Sequence, residues 1–119
     1  MDLSNRVAIV TGSDRGIGRA IALKLAEVGA TVVANDIGVV EPVEGVVNEI
    51  KAMGRQSLAV LADVSSAEDV TRLVAETIAA YGKVDILVNN AGIARDQLVM
   101  RMSDEDWDSV LKVNLKGAF

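Results

Sequence analysis

Three glycines in the stretch VTGSDRGIG, residues 10–18, stand as Gly12, Gly16 and Gly18. Their spacing differs from both the G-x-G-x-x-G dinucleotide fingerprint and the G-x-x-x-x-G-K-[ST] phosphate loop. An apolar run, VAIVT, leads in, and an apolar pattern at helical spacing leads out. A loop that leaves a strand and opens a helix offers unpaired N–H groups and a partial positive charge, which suits a pyrophosphate. In that setting Gly12 turns the chain at the strand end and Gly16 lets the backbone approach a ligand. Gly18 allows close packing of helix on sheet, and Ser13, Asp14, Arg15 and Ile17 complete the loop.

A carboxylate is placed to work with this loop. Asp36, followed by Ile37, ends the second apolar run about twenty residues after Gly16, where it can accept hydrogen bonds from an adenosine ribose. The bland alternative is an Asp that merely starts a loop. Asn89, Asn90, Ala91 and Gly92 are turn chemistry in isolation, but directly after a buried strand they fall on the same edge as the glycine loop. Near the C-terminus Asn114 interrupts an apolar helical stripe that includes Trp107, Val110, Leu111 and Ala118. A buried amide left unpaired costs about 1–3 kcal/mol, so Asn114 is either an interfacial or water-bonded residue or a functional one.

The elements that must position these residues follow from periodicity. Strands are expected over 7–11, 31–35, 58–62 and 85–89, and helices over 18–28, 43–53 and 65–81. The third helix starts at Ser65, whose partner Glu68 has capping-box spacing. A loop from Gly92 reaches Ser103, where a fourth helix begins. Strands alternating with helices imply parallel β-strands and right-handed crossovers, hence an α/β, doubly wound sheet of about four strands and four helices.

Composition narrows the class. The chain of 119 residues is half apolar, with one Phe, one Trp and one Tyr. Its length fits one domain. A net charge of −5 argues against a nucleic-acid surface. Without cysteine or histidine no disulfide or thiolate site is available and no metal site is expected. No signal peptide or membrane-length apolar run is present, so a cytoplasmic protein is expected.

At these residues the sequence resembles the short-chain dehydrogenase/reductases of classical type. TGSDRGIG is similar to that family's T-G-x-x-x-G-x-G loop, and NNAG at residues 89–92 to its second hallmark. Asp63-Val64 looks like the family's pair beside the adenine, with the Asp63 side chain and the Val64 backbone facing the ring. The resemblance implies a Rossmann-type fold and a nicotinamide dinucleotide lined by Asn90, Ala91 and Gly92. It implies that Asn89 ties the central strands together. It also implies that Asn114 is the Asn of the catalytic tetrad, whose backbone holds a proton-relaying water.

The family's chemistry further needs a serine, a tyrosine and a lysine four residues after the tyrosine. A tyrosine near pKa 10 is a poor base at neutral pH without such a cation. The only tyrosine is Tyr81, and the residue four later is Asp85. Residues 1–119 are therefore expected to be one truncated NAD(P)-binding domain that holds cofactor-site elements without turnover. The far edge of the fourth strand is expected to lack a partner from its own chain, so homo-oligomers, pairing with a complementary half or aggregation are expected.

Asp36 favours NAD(H), because a carboxylate there repels the 2′-phosphate of NADP(H). Asp14 adds negative charge, while Arg15 points toward NADP(H). Two carboxylates against one guanidinium favour NAD(H). The segment AGIARDQLVMRMSDEDW resembles the loop of 3-oxoacyl-[acyl-carrier-protein] reductases and their acetoacetyl-CoA reductase relatives. That likeness implies a 3-oxoacyl thioester substrate and a place in fatty acid biosynthesis. Rivals are an NAD-linked 3-hydroxyacyl or other secondary-alcohol dehydrogenase, a nucleotide-binding module without chemistry, and a folding fragment without ligand affinity.

Overall fold

The computed structural model describes residues 2–38 and 40–90 in full and the backbone of 98–101. Strands β1 (Val7–Val10), β2 (Thr31–Asp36), β3 (Ser57–Leu61) and β4 (Ile86–Asn89) alternate with helices α1 (Gly16–Glu27), α2 (Glu41–Ala52) and α3 (Ala67–Tyr81). A fifth strand, β5 (Leu98–Arg101), follows β4. The sheet order is β3-β2-β1-β4-β5. β1 pairs in parallel with β2 and β4, and β2 with β3. The order reverses at β1, so a crevice opens between the carboxyl ends of β1 and β4.

Alternating side chains divide the interior into two layers. Ala8, Val10, Val32, Ala34, Ile86 and Val88 join Ala22 and Ala26 of α1 and Val43, Val46, Val47 and Ile50 of α2. The intervening residues Ile9, Val33, Val60 and Leu87 meet Leu73 and Val74 of α3. Strands buried on both faces need apolar residues at successive positions, which is why these runs carry no polar alternation. Together α1 and α2 cover one face of the sheet, and α3 covers the other.

Two expectations change. Residues 98–101 form a strand where a loop was expected, and it runs antiparallel along β4, with Val88 opposite Val99. The far edge of β4 thus has a partner from its own chain. Unpaired edge groups gain from any neighbouring strand. The connection over 90–97 is shorter than the dozen or more residues that a parallel crossover needs, so the pairing is antiparallel. The helix expected from Ser103 lies outside the described residues. Among those described, no helix is long and apolar enough to cross a membrane.

The N-cap of α3 is also one residue later than expected, and the helix itself begins at Ala67. Ser66, not Ser65, is the N-cap, and its hydroxyl accepts from the Asp69 N–H at 3.3 Å. Ser65 instead donates its hydroxyl to Asp63. Asp69, three residues after the true cap, turns its carboxylate back to the Asp63 N–H at 2.8 Å rather than to the cap itself. Two overlapping Ser-x-x-acid patterns in SSAED cannot be separated by spacing alone. Ser66→Ala is therefore expected to cost about 1 kcal/mol in urea unfolding, and Ser65→Ala less; the reverse ranking would restore the earlier cap.

Candidate functional site

The carboxyl ends of β1, β2 and β4 are fastened to one another by side chains. Thr11, directly after β1, accepts the Asn90 N–H at 2.8 Å, and its hydroxyl lies 3.3 Å from both Val88 O and Asn89 Oδ1. On the other side Ser13 is fully buried. Its N–H donates to Asn35 O at 2.9 Å, and its hydroxyl accepts the Asn35 N–H at 2.9 Å. The loop between β1 and α1 is therefore tied to β4 by Thr11 and to β2 by Ser13. The Ser13 hydroxyl faces the strand, so its part in the site is to fix the loop.

Held this way, the chain enters α1 at Gly16, two residues before the expected start. Gly16 has φ +59° and open space around its Cα. Backbone conformation, not crowding, calls for glycine there. At Gly18 the reason is crowding. A Cβ there would fall on the Gly12 carbonyl oxygen and within 2.6 Å of Asn90 Nδ2. Asn90 Nδ2 itself donates to Gly12 O at 3.3 Å. Gly12, Gly18 and Asn90 thus meet in the crevice between β1 and β4.

The first turn of α1 has no side-chain cap and no acidic residue. The amides of Gly16, Ile17 and Gly18 have no acceptor within the helix. Their direction and the helix dipole make this turn a place for an anion. The glycine loop is open on its outer side, since nothing stands within 4 Å of the Cβ position at Gly16. Around it lie two exposed apolar side chains, Ile17 at 64% and Ile37 at 60% exposure. Exposed apolar surface beside a few polar groups is the usual composition of a ligand site.

Charge at the tip of β2 is concentrated. Burial pushes the Asp36 carboxyl above its ordinary value; the neighbouring Asp14 carboxyl adds to the rise, while the Ile37 N–H and Arg15 oppose it. Arg15 is almost wholly exposed, with its Nε 3.8 Å from Asp14 Oδ2. That contact is in water and contributes little. Across at the end of β3, the hydroxyl and N–H of Ser65 hold the Asp63 carboxyl below the usual range. Asp63 and Val64 are half-buried at the rim.

The structure therefore brings Gly12, Ser13, Asp14, Arg15, Gly16, Ile17, Gly18, Asp36, Ile37, Asp63, Val64 and Asn90 to one edge of the sheet. Ala91, Gly92 and Asn114 lie outside the described residues. Tyr81 is at the opposite edge, packed against the α3 layer, and burial raises its hydroxyl above the ordinary value. Thr11 and Asn35 carry connections that spacing did not single out. Their signal was a polar residue at the end of an otherwise apolar strand. No cluster of His, Cys, Asp or Glu that could hold a metal occurs among the described residues.

Residues 6–119 match the family model described as short chain dehydrogenase. The chain is 50% identical over 115 residues to a 3-oxoacyl-[acyl-carrier-protein] reductase of Staphylococcus epidermidis, covering 97% of this chain and 47% of the relative. It is 46% identical over its whole length to a (2S)-[(R)-hydroxy(phenyl)methyl]succinyl-CoA dehydrogenase subunit of Thauera aromatica, covering 48% of that protein. Among solved structures, a blue fluorescent protein from a metagenomic library in complex with NADPH superposes with a TM-score of 0.73 at 40% identity. That alignment covers 78% of this chain and 38% of the other. The chain spans about half the length of the curated relatives it matches.

Two substitutions test this geometry. Gly18→Ala is expected to lower stability by about 1–3 kcal/mol in urea unfolding, because the Gly12 carbonyl is backbone and cannot step aside; an unchanged midpoint would show that the crevice is looser. Asp14→Asn removes the like charge beside Asp36. Since folding raises the Asp36 pKa, the charged form carries a penalty that is full above the folded value and absent below 3.8. The melting temperature is expected to rise near neutral pH, with the gain fading as pH falls through the Asp36 titration. A gain undiminished in acid would assign it to another group.

Proposed function

Because the chain belongs to the short-chain dehydrogenase family, we propose that it forms the dinucleotide-binding part of an NAD(P)-dependent oxidoreductase that interconverts a carbonyl and a secondary alcohol. The observation that carries this reading is the uncapped first turn of α1, set behind Gly12 and Gly18 and flanked by Asp36. The amides of Gly16 to Gly18 hold the diphosphate, and Asp36 accepts from the adenosine ribose. Ile37 lies against the base, and Asp63 with Val64 reads the edge of the adenine. Asn90, Ala91 and Gly92 line the path toward the nicotinamide, and Asn114 supports the proton relay. When bound, the dinucleotide supplies or accepts the hydride.

The substrate we propose is a 3-oxoacyl thioester on acyl-carrier protein or coenzyme A. The reductase of Staphylococcus epidermidis at 50% identity supports this. A second reading, oxidation of a 3-hydroxyacyl or related secondary alcohol, is favoured by the Thauera aromatica dehydrogenase, whose name specifies a hydroxyl-bearing CoA thioester. The tyrosine–lysine pair that either direction needs is not in this sequence, since Asp85 stands four residues after Tyr81. Residues 1–119 alone are accordingly proposed to bind nucleotide without turnover.

NAD(H) is the proposed cofactor, on the Asp36 and Asp14 carboxylates, although the metagenomic neighbour was solved with NADPH. Desolvating a 2′-phosphate against that pair costs more than the exposed Arg15 returns. Calorimetric titration with NADH and NADPH tests both the site and the preference. Asp36→Ala is expected to shift the ratio of affinities toward NADPH by about tenfold or more. Binding of neither nucleotide would remove the reading, and an unchanged ratio would hand the preference to Arg15.

A further inference from the structure

We propose that Asn35 is a positioning residue that keeps the two sides of the adenosine site, Asp36 and Asp63–Val64, at a fixed separation. The inference rests on the dinucleotide reading above. Asn35 is 1% exposed, in an otherwise apolar stretch of β2. Its main chain holds the glycine loop through Ser13. Its side chain reaches the other way: Nδ2 donates to Val60 O at 3.0 Å and to Ala62 O at 3.2 Å. One residue thus grips both the phosphate loop and the end of β3.

The Ala62 carbonyl is the more telling partner. The β2–β3 register ends at Asp36 opposite Leu61, with the Ala62 N–H donating to Asp36 O at 3.1 Å. Ala62 is thus the last residue tied to β2 before the chain turns to Asp63. Asn35 holds the carbonyl of the Ala62–Asp63 peptide, and Asp69 holds its N–H at 2.8 Å. That peptide plane, fixed at both poles, sets where Asp63 and Val64 project.

The arrangement has a cost, because Asn35 Oδ1 is buried and has no hydrogen-bond partner among the described residues. Turning the amide over would aim Oδ1 at two carbonyls and is worse. A leucine would fill a similar space without the orphaned oxygen, so burial alone does not call for an asparagine. What only the amide supplies is the hold on the β3 tip.

Asn35→Leu separates these roles, with inorganic pyrophosphate and ADP as probes in calorimetry on the full chain. Pyrophosphate affinity is expected to stay within about twofold, while ADP affinity falls about tenfold. A stability effect alone would move both together and leave their ratio unchanged, which would overturn the proposal. Asp69→Ala releases the same peptide from its N–H side without entering the core, and is expected to lower the ADP-to-pyrophosphate ratio in the same sense. Should Asn35→Leu fail to fold, an unchanged ratio in Asp69→Ala would overturn it. Were the unsubstituted chain to bind pyrophosphate but ADP no more tightly, the adenosine reading and this proposal would fall together. Binding of neither probe would remove the phosphate site as well.

Discussion

The contact of the first turn of α1 with the Gly12 carbonyl and the Asn90 amide is the constraint on which the site depends. It requires a residue without a Cβ at position 18 and a loop short enough to enter the helix directly. It also requires strands β1 and β4 to end level with each other, which the Thr11 hydroxyl secures at the Asn90 N–H. Once the helix is pressed into this corner, its three leading amides have nowhere to find an acceptor except outward. The anion site we propose is then a by-product of packing. Electrostatics adds to it, since no acidic side chain stands in that turn to compete.

The same strand ends carry the charges on which the proposed NAD(H) preference rests. Asp36 is the last residue of β2, so its position is set by the ladder rather than by a loop. Asp14 comes to it from the glycine loop, and its carboxyl adds to the rise that burial gives the Asp36 pKa. The Arg15 side chain is almost wholly exposed to solvent beside Asp14. A partly buried negative pair and a solvent-exposed cation are unequal partners for a 2′-phosphate, beyond the two-to-one count of charges.

Much of this is legible in the sequence alone. Strand β1 can be read from VAIVT because the apolar run is short, rich in β-branched residues and closed by the glycine loop, and helix α3 can be read because Gly82 ends a clear apolar stripe. Gly12, Gly16, Gly18 and Asp36 stood out because each answers a local demand of turn, approach or charge. Strand β5 was not legible: the run LVMR is too short to show a period, and what makes it a strand is the open edge of β4. The cap of α3 was misplaced by one residue because Ser65 and Ser66 carry the same local signal. The role of Asn35 is not legible for a different reason. Its partners Ser13, Val60 and Ala62 are distant in sequence, and only the fold brings them together.

Amide chemical shifts resolve the central claim most directly. On titration of an isotopically labelled chain with NADH, the backbone signals of Gly16, Ile17 and Gly18 should move furthest and saturate together with those of Asp36 and Val64. A nucleotide that left these three amides untouched while shifting signals at the Tyr81 edge of the sheet would place the ligand elsewhere, and the helix start would be no more than packing.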